Sequence, residues 1–226
     1  MADVVAFDLY GTLLSTASIA KRLEKHFDPV KAQSISALWR RYQLEYEDFS
    51  AITRNSLLHT LADHHTSLSE DDMAEVMHAY DNLSTFADVK PALARIASDP
   101  SVQAVVFSNG TKTMVSNSVL RSEDLSPHAS TFQDVITVDE VRQYKPARAC
   151  YQHLARKTGK NPAAMNNLWL VSGNSFDIVG ARSTGMQAIW IDRDGGGWKD
   201  AASPGLQPTA TVHSLEQVVQ EIQSRK

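Results

Sequence analysis

Short apolar runs, each ending in a turn, alternate with stretches of helical spacing along most of the chain. The first run is Val4-Val5-Ala6-Phe7, closed by Asp8 and a Gly turn. Similar runs recur at Val102–Phe107, Val135–Val138, Leu168–Val171 and Ala188–Ile191. Unbroken apolar runs of this length mark strands buried on both faces of a parallel sheet. Between them, residues 112–121, 147–158 and 175–184 read as helices. Another helix starts near Asp88 with Pro91 in its first turn and turns Leu93, Ile96 and Ala97 inward. Ser214 followed by Gln217 is a capping-box pattern that announces the last helix. This alternation over 88–226 predicts an α/β fold, a doubly wound parallel sheet.

Residues 15–87 break the rhythm. Ile35, Trp39, Tyr42, Tyr46 and Phe49 recur at steps of three and four, the apolar stripe of one long helix. Ser69-Glu70-Asp71-Asp72 opens another. The expected organisation is an α/β core built from 1–14 and 88–226, with a helical cap, 15–87, inserted after the first strand. Arg40 lies about 140° from Ile35 around the helix, and Leu44 shares its face. The plain role for such an Arg is to cover the edge of the core with its methylenes.

Composition narrows the function. The 226 residues suit one to two domains, and the net charge of −4 comes without any basic stripe, which excludes a general nucleic-acid binder. The single cysteine, Cys150, forbids an intramolecular disulfide and fits a reducing compartment. The start, MADVVAFDLY, is acidic where a secretory signal is basic, and no apolar run reaches the roughly 18–20 residues of a membrane span. A soluble, cytoplasmic protein is expected, with neither membrane nor nucleic acid as a partner.

In an open parallel sheet, ligands bind beyond the carboxyl ends of the strands. Asp8, Ser108-Asn109-Gly110-Thr111 and Ser172-Gly173-Asn174 all fall at such ends, and Lys145-Pro146 follows a further strand on the same side. Each has a local alternative: Asp8 capping its turn, Ser108 or Asn109 capping the helix near 112, Asp177 as a first-turn helix acid, Lys145 exposed. Their convergence on one rim beneath the cap points to a site. His64-His65 reads as an exposed loop, Gly195-Gly196-Gly197 as a loop over the core, and Cys150 as core packing.

The string Phe7-Asp8-Leu9-Tyr10-Gly11-Thr12-Leu13 resembles the first motif of the haloacid dehalogenase (HAD) superfamily. Ser108-Asn109-Gly110, Tyr144-Lys145-Pro146 and Ser172-Gly173-Asn174-Ser175-Phe176-Asp177 follow in the superfamily's order. Tyr10, the cap string Ile35-Ser36-Ala37-Leu38-Trp39-Arg40 with Gln43-Leu44-Glu45-Tyr46, and Tyr151 six residues beyond Lys145 look like the L-2-haloacid dehalogenases. Superfamily phosphatases carry a second Asp at the position of Tyr10 to protonate a leaving alkoxide, an acid that a halide does not need. Asp177 is the sole carboxylate of the last motif, which leaves little charge for a divalent ion; no metal and no cofactor are expected.

The resemblance implies that Asp8 attacks a small 2-halo carboxylic acid and forms an ester, which water then hydrolyses. Arg40 and Asn174 would receive the halide product, with Phe176 completing an apolar wall beside Leu9, Tyr10 and Leu44. Ser108 and the backbone N–H groups after Asp8 would hold the substrate carboxylate. Lys145 and Thr12 would orient Asp8 and keep it charged. Asp177 would be the base for water, supported by Lys145 and Ser172. Tyr151 would order Asp8 or its neighbours, and Asn109 would line the pocket. A homodimer is among the assemblies the family leads one to expect. The chain departs from the family in a cap segment after Tyr46 about ten residues shorter, in Phe176 for Trp, and in Arg41 for Gln. Three other readings stay open: the same nucleophile with another leaving group, such as ring opening of azetidine-2-carboxylate; a Mg²⁺-dependent phosphatase; and a non-catalytic binder.

Overall fold

A computed structural model describes residues 2–41 and 49–225, with Arg40 and Arg41 described as backbone only. In chain order the elements are β1 (Asp3–Phe7), α1 (Ala20–Leu23), α2 (Pro29–Arg41), α3 (Phe49–Asp63), α4 (Glu70–Ala79), α5 (Val89–Ser98), β2 (Val102–Ser108) and α6 (Lys112–Leu120). There follow β3 (Phe132–Thr137), α7 (Arg148–Lys157), β4 (Leu168–Ser172), α8 (Ser175–Ser183), β5 (Gln187–Ile191), β6 (Ala210–Val212) and α9 (Val218–Gln223). The strands form one sheet in the order β3-β2-β1-β4-β5-β6, parallel at every pairing. All five expected strands are present. The sixth, β6, has only three residues, too few to stand out as an apolar run.

Both faces of the sheet are covered, and the side chains divide by the strand period of two. Val5 and Phe7 of β1, Val102, Ala104 and Val106 of β2, and Trp169 and Val171 of β4 enter one apolar cluster. Val4 and Ala6, Val105 and Phe107, and Leu168 and Leu170 enter the other, against α7 and α8. That double burial is why these strands read as unbroken apolar runs.

The described residues between Ser15 and Ser84 contain helices and no strand of the sheet. Where the chain leaves for this insertion and returns, the two segments touch: Ser15 N donates to Ser84 O at 3.0 Å, and Leu14 bridges to Thr85. The apolar stripe expected along one long helix is divided. Ile35 and Trp39 are buried on α2, whereas Phe49 opens α3; Tyr42 and Tyr46 lie outside the described residues. Trp39 Nε1 donates to Thr53 O at 2.7 Å and its ring meets Tyr80, which in turn meets Tyr10 beside the first strand. The inserted helices therefore share one apolar cluster with a face of the sheet.

The start signals hold at two places. Ser69 accepts from Asp72 N ahead of α4, and Ser214 and Gln217 make a reciprocal capping box ahead of α9. Asp88 precedes α5 as expected but does not cap it; its carboxylate is taken by Arg193 and by Leu215 N.

Trp39→Ala removes a fully buried indole and is expected to cost about 3–5 kcal/mol, the range for deleting a large aromatic from a core. Urea denaturation should show that loss, with Trp39→Phe recovering most of it. A loss below about 1 kcal/mol for the Ala variant would mean that the helices do not depend on this ring.

Candidate active site

The ends of β1 and β4 lie side by side at the centre of the sheet, where the strand order reverses and a crevice opens in folds of this kind. Asp8 follows β1, and its N–H donates to Val171 O of β4 at 3.0 Å. Its carboxylate is buried and held by four side chains from three segments. Oδ1 accepts from Lys145 Nζ at 2.9 Å. Oδ2 accepts from Thr12 Oγ1 and Asn174 Nδ2, both at 2.7 Å, and from Ser172 Oγ at 3.4 Å. Thr12 is placed by a turn through Gly11, which adopts φ +91, a left-handed conformation that glycine tolerates freely. The Thr12 hydroxyl is fixed from the other side by Gly173 N at 2.8 Å.

Lys145 sits below the surface between two carboxylates. Its ammonium donates to Asp8 Oδ1, to Asp177 Oδ2 at 2.6 Å and to Phe107 O at 3.1 Å, so all three hydrogens are used. Tyr151, on α7, donates to Asp177 Oδ1 at 2.7 Å and occupies the other oxygen of that carboxylate. A Cβ on Gly180 would stand 2.2 Å from the Tyr151 hydroxyl, so a bare glycine one turn beyond Asp177 makes room for the phenol.

Burial dominates the electrostatics. It disfavours charge on Lys145, but the carboxylates of Asp177 and Asp8 outweigh it and raise the lysine above its ordinary value. Asp177 is raised above the ordinary carboxylate range, first by burial and then by Asp8, against the pull of Lys145. Burial also lifts Tyr151 far above the usual phenol range and pushes the Cys150 thiol up to about 11. Tyr151 is therefore a hydrogen-bond donor to Asp177, and Cys150 a neutral packing group whose Sγ contacts Gln143 O.

Asp8, Thr12, Lys145, Tyr151, Ser172, Asn174 and Asp177 come together as one hydrogen-bonded cluster. Several expected details differ. Asn174, expected at the halide, uses both amide hydrogens on Asp8 Oδ2 and Tyr10 O, because it lies directly against the loop after β1. Asn109, expected to line the pocket, grips the backbone of Lys145: its Oδ1 accepts from Lys145 N at 2.8 Å. Ser172 reaches Asp8 and accepts from Asn174 N, where support of Asp177 was expected. Tyr151, expected to order Asp8 or its neighbours, orders the neighbour Asp177. The cap of α6 is Thr111, whose hydroxyl accepts from Met114 N, and neither Ser108 nor Asn109 has that role. Ser108 Oγ accepts from Gly110 N at 3.1 Å, and its own hydrogen has no acceptor among the described residues, leaving it free to donate.

Leu9 is fully buried, and Tyr10 stacks on Phe49 with its hydroxyl 3.4 Å from Ser118 Oγ, directed towards α6. Phe176 is 38% exposed at the start of α8. Arg40 stands in the last turn of α2, its side chain outside the described residues, and Leu44 lies outside them altogether. The sequence reading missed the Phe107 carbonyl and Gly180. A glycine inside a helical pattern is the one available signal for the second.

The residues at the rim offer a divalent ion a poor setting, since Asp8 and Asp177 already share an ammonium. Among the described residues, one His/Asp/Glu group is close enough to hold a metal: His26, Asp72 and Glu75 in the inserted helices. There Glu75 is already paired with Lys25 at 3.0 Å and Arg22 at 3.4 Å. No helix among the described residues is long and apolar enough to cross a membrane.

The model of the haloacid dehalogenase-like hydrolase family matches residues 2–182. Haloacetate dehalogenase H-2 of Moraxella sp. (strain B) is 30% identical over 231 residues, covering 96% of each chain. The (S)-2-haloacid dehalogenase of Pseudomonas sp. (strain YL) is 30% identical over 96% of this chain and 92% of its own. The structure of L-2-haloacid dehalogenase from Xanthobacter autotrophicus superposes with a TM-score of 0.85 at 25% identity, covering 100% of both chains. The same enzyme with chloropropionic acid covalently bound gives 0.84.

Breaking the buried triad by Lys145→Met should destabilise the fold by about 3–5 kcal/mol near pH 8. A raised lysine contributes stability that is fully present below its ordinary value of 10.5 and fades as pH climbs from there through the folded-state value. The difference in urea stability between wild type and variant should accordingly hold steady up to about pH 10 and narrow only as pH rises above 10.5. A gap that stays constant above that value would contradict a lysine held charged by Asp8 and Asp177.

Proposed function

The chain belongs to the haloacid dehalogenase-like hydrolases, and from that premise we propose that it hydrolyses the carbon–halogen bond of short L-2-halo acids. The products would be the D-2-hydroxy acid and halide. The carrying observation is the pair of buried carboxylates bridged by Lys145: one is gripped for attack, and the other is raised towards the range of a base.

In the first step an Asp8 oxygen forms a bond to C2 as the C2–halogen bond breaks, and the halide leaves with the bonding pair. Attack from the rear inverts C2. Thr12, Lys145 and Asn174 fix the direction of the carboxylate, and so lower the entropic barrier to an in-line approach. Ser108 has a hydroxyl hydrogen to offer the substrate carboxylate. Arg40, in the last turn of α2, is the proposed receptor of the halide, and residues 15–87 the cap that closes over it. In the second step water adds to the Asp8 carbonyl carbon while Asp177 takes its proton. The ester C–O bond then breaks, the departing oxygen regains a proton, and the Asp8 carboxylate is restored with net release of one proton.

The position of Tyr10 favours this leaving group over a phosphate ester. Its hydroxyl lies 3.4 Å from Ser118 Oγ, and a phenol is a far weaker acid towards a departing alkoxide than the carboxyl of a second Asp. Lys145 supplies the positive charge between the two carboxylates, and the proposed chemistry needs no divalent ion. A homodimer and a cytoplasmic location complete the proposal.

Halide release from the L enantiomer of 2-chloropropionate, insensitive to EDTA, is the expected activity, with Asp8→Asn lowering it by at least about 10³-fold. Equal activity on both enantiomers, loss on chelation, or a fully active Asp8→Asn would overturn the reading. The acid limb of kcat tests Asp177. As a base it must lose its proton, and its raised value puts the limb above the ordinary carboxylate range. Tyr151→Phe removes a hydrogen bond that favours the carboxylate, so the limb should move to higher pH. A limb that stays put or moves down would argue for a different base.

A further inference from the structure

Arg193 stands two residues beyond the end of β5 and serves none of the steps above. Its side chain is only 18% exposed, and it makes an unusually complete set of contacts. Nη2 donates to Thr12 O at 3.0 Å and to Asp88 Oδ1 at 3.0 Å, while Nε lies within hydrogen-bond distance of both Asp88 oxygens. The guanidinium carbon lies 3.9 Å from the centre of the Phe86 ring. Asp88 also accepts from Leu215 N at 2.9 Å, which anchors it to the core. The Arg193 loop is itself fixed, because both Asp192 carboxylate oxygens accept backbone N–H groups, from Gly196 and Gly197.

These partners share a location. Thr12 lies where the chain is about to leave the sheet for the inserted helices, and Phe86 and Asp88 lie where it returns. The two crossings touch through Ser15 N to Ser84 O and Phe86 N to Leu13 O. One planar cation thus joins both crossings to the loop after β5, a task that its fixed fork of donors suits and a lysine's point charge does not.

We propose that Arg193 is a positioning residue for Asp8, acting through Thr12. By holding the Thr12 carbonyl against Asp88, it fixes the backbone from which the Thr12 hydroxyl reaches Asp8 Oδ2 at 2.7 Å. Asp88 gives up the capping of α5 in favour of this pairing.

The kinetic side rests on Asp8 as the nucleophile of the proposed reaction, so one readout independent of turnover is needed. Gly173 N donates to the Thr12 hydroxyl, which makes its amide exchange a reporter of that side chain. In Arg193→Met, exchange at Gly173 and Ser15 should quicken by about tenfold or more while the sheet-centre amides of Val5 and Leu170 keep their rates. Unchanged exchange at Gly173, or a uniform rise across the sheet, would overturn the proposal even if the protein proved to have another substrate. In turnover, Arg193→Met should lower kcat about tenfold with KM altered less than about threefold. In a Thr12→Val background the same change should cost less than about twofold, because the hydroxyl it positions is already gone. Equal factors in both backgrounds would mark Arg193 as a support of the fold alone. A wild type that releases no halide would count against the proposed reaction, and the exchange comparison would still decide the role of Arg193.

Discussion

Three charged groups share one buried space: the Lys145 ammonium and the carboxylates of Asp8 and Asp177, with side-chain exposures of 1%, 7% and 0%. Removing charges from water costs several kcal/mol for each ion unless the geometry is close and the remaining donors and acceptors are satisfied. That condition is met by residues far apart in sequence. Phe107 O takes the third lysine hydrogen, Tyr151 takes the outer oxygen of Asp177, and Thr12 and Asn174 take the second oxygen of Asp8. The carboxyl ends of three strands and the starts of two helices must therefore converge within hydrogen-bond tolerance, and the fold exists in the form that lets them do so.

The sheet supplies this tolerance because it is gripped from both faces. Phe107, buried one residue before the end of β2, places its ring 4.8 Å from the ammonium on one side. Val171, at the end of β4, holds the backbone of Asp8 on the other. The inserted helices add a second constraint, since Phe49 and Tyr80 pack directly on Tyr10, two residues past Asp8. Movement of those helices is coupled to the loop that carries Thr12, and Arg193 with Asp88 stands at that junction. The shared apolar cluster makes the insertion part of the site's scaffold.

The sequence made the central strands legible because burial on both faces removes the polar alternation, as in Val4–Phe7 and Val102–Phe107. It pointed to the rim because polar residues at strand ends are few and each stood out. It could not show β6, three residues long, or the division of the apolar stripe, since periodicity continues from Ile35 and Trp39 through to Phe49. Side-chain direction was the harder part. Asn109 and Asn174 have amides that suit a ligand and a neighbouring backbone equally well, and only the fold brings Lys145 N to one and Tyr10 O to the other. Gly180 fits against Tyr151 and Arg193 against Thr12; a glycine within a helical pattern hints at the first without naming its partner, and no local pattern encodes the second.

The central claim is that Asp8, held by Lys145 and Thr12, is the attacking group, with water entering only at its ester. A single turnover with enzyme in excess over L-2-chloropropionate in H₂¹⁸O separates this from direct attack by water. Mass spectrometry of the peptide containing Asp8 should show the heavy oxygen in its carboxylate, with the released hydroxy acid unlabelled. Label in the hydroxy acid and none in Asp8 would contradict the account, and would make Asp8 a base for water at C2.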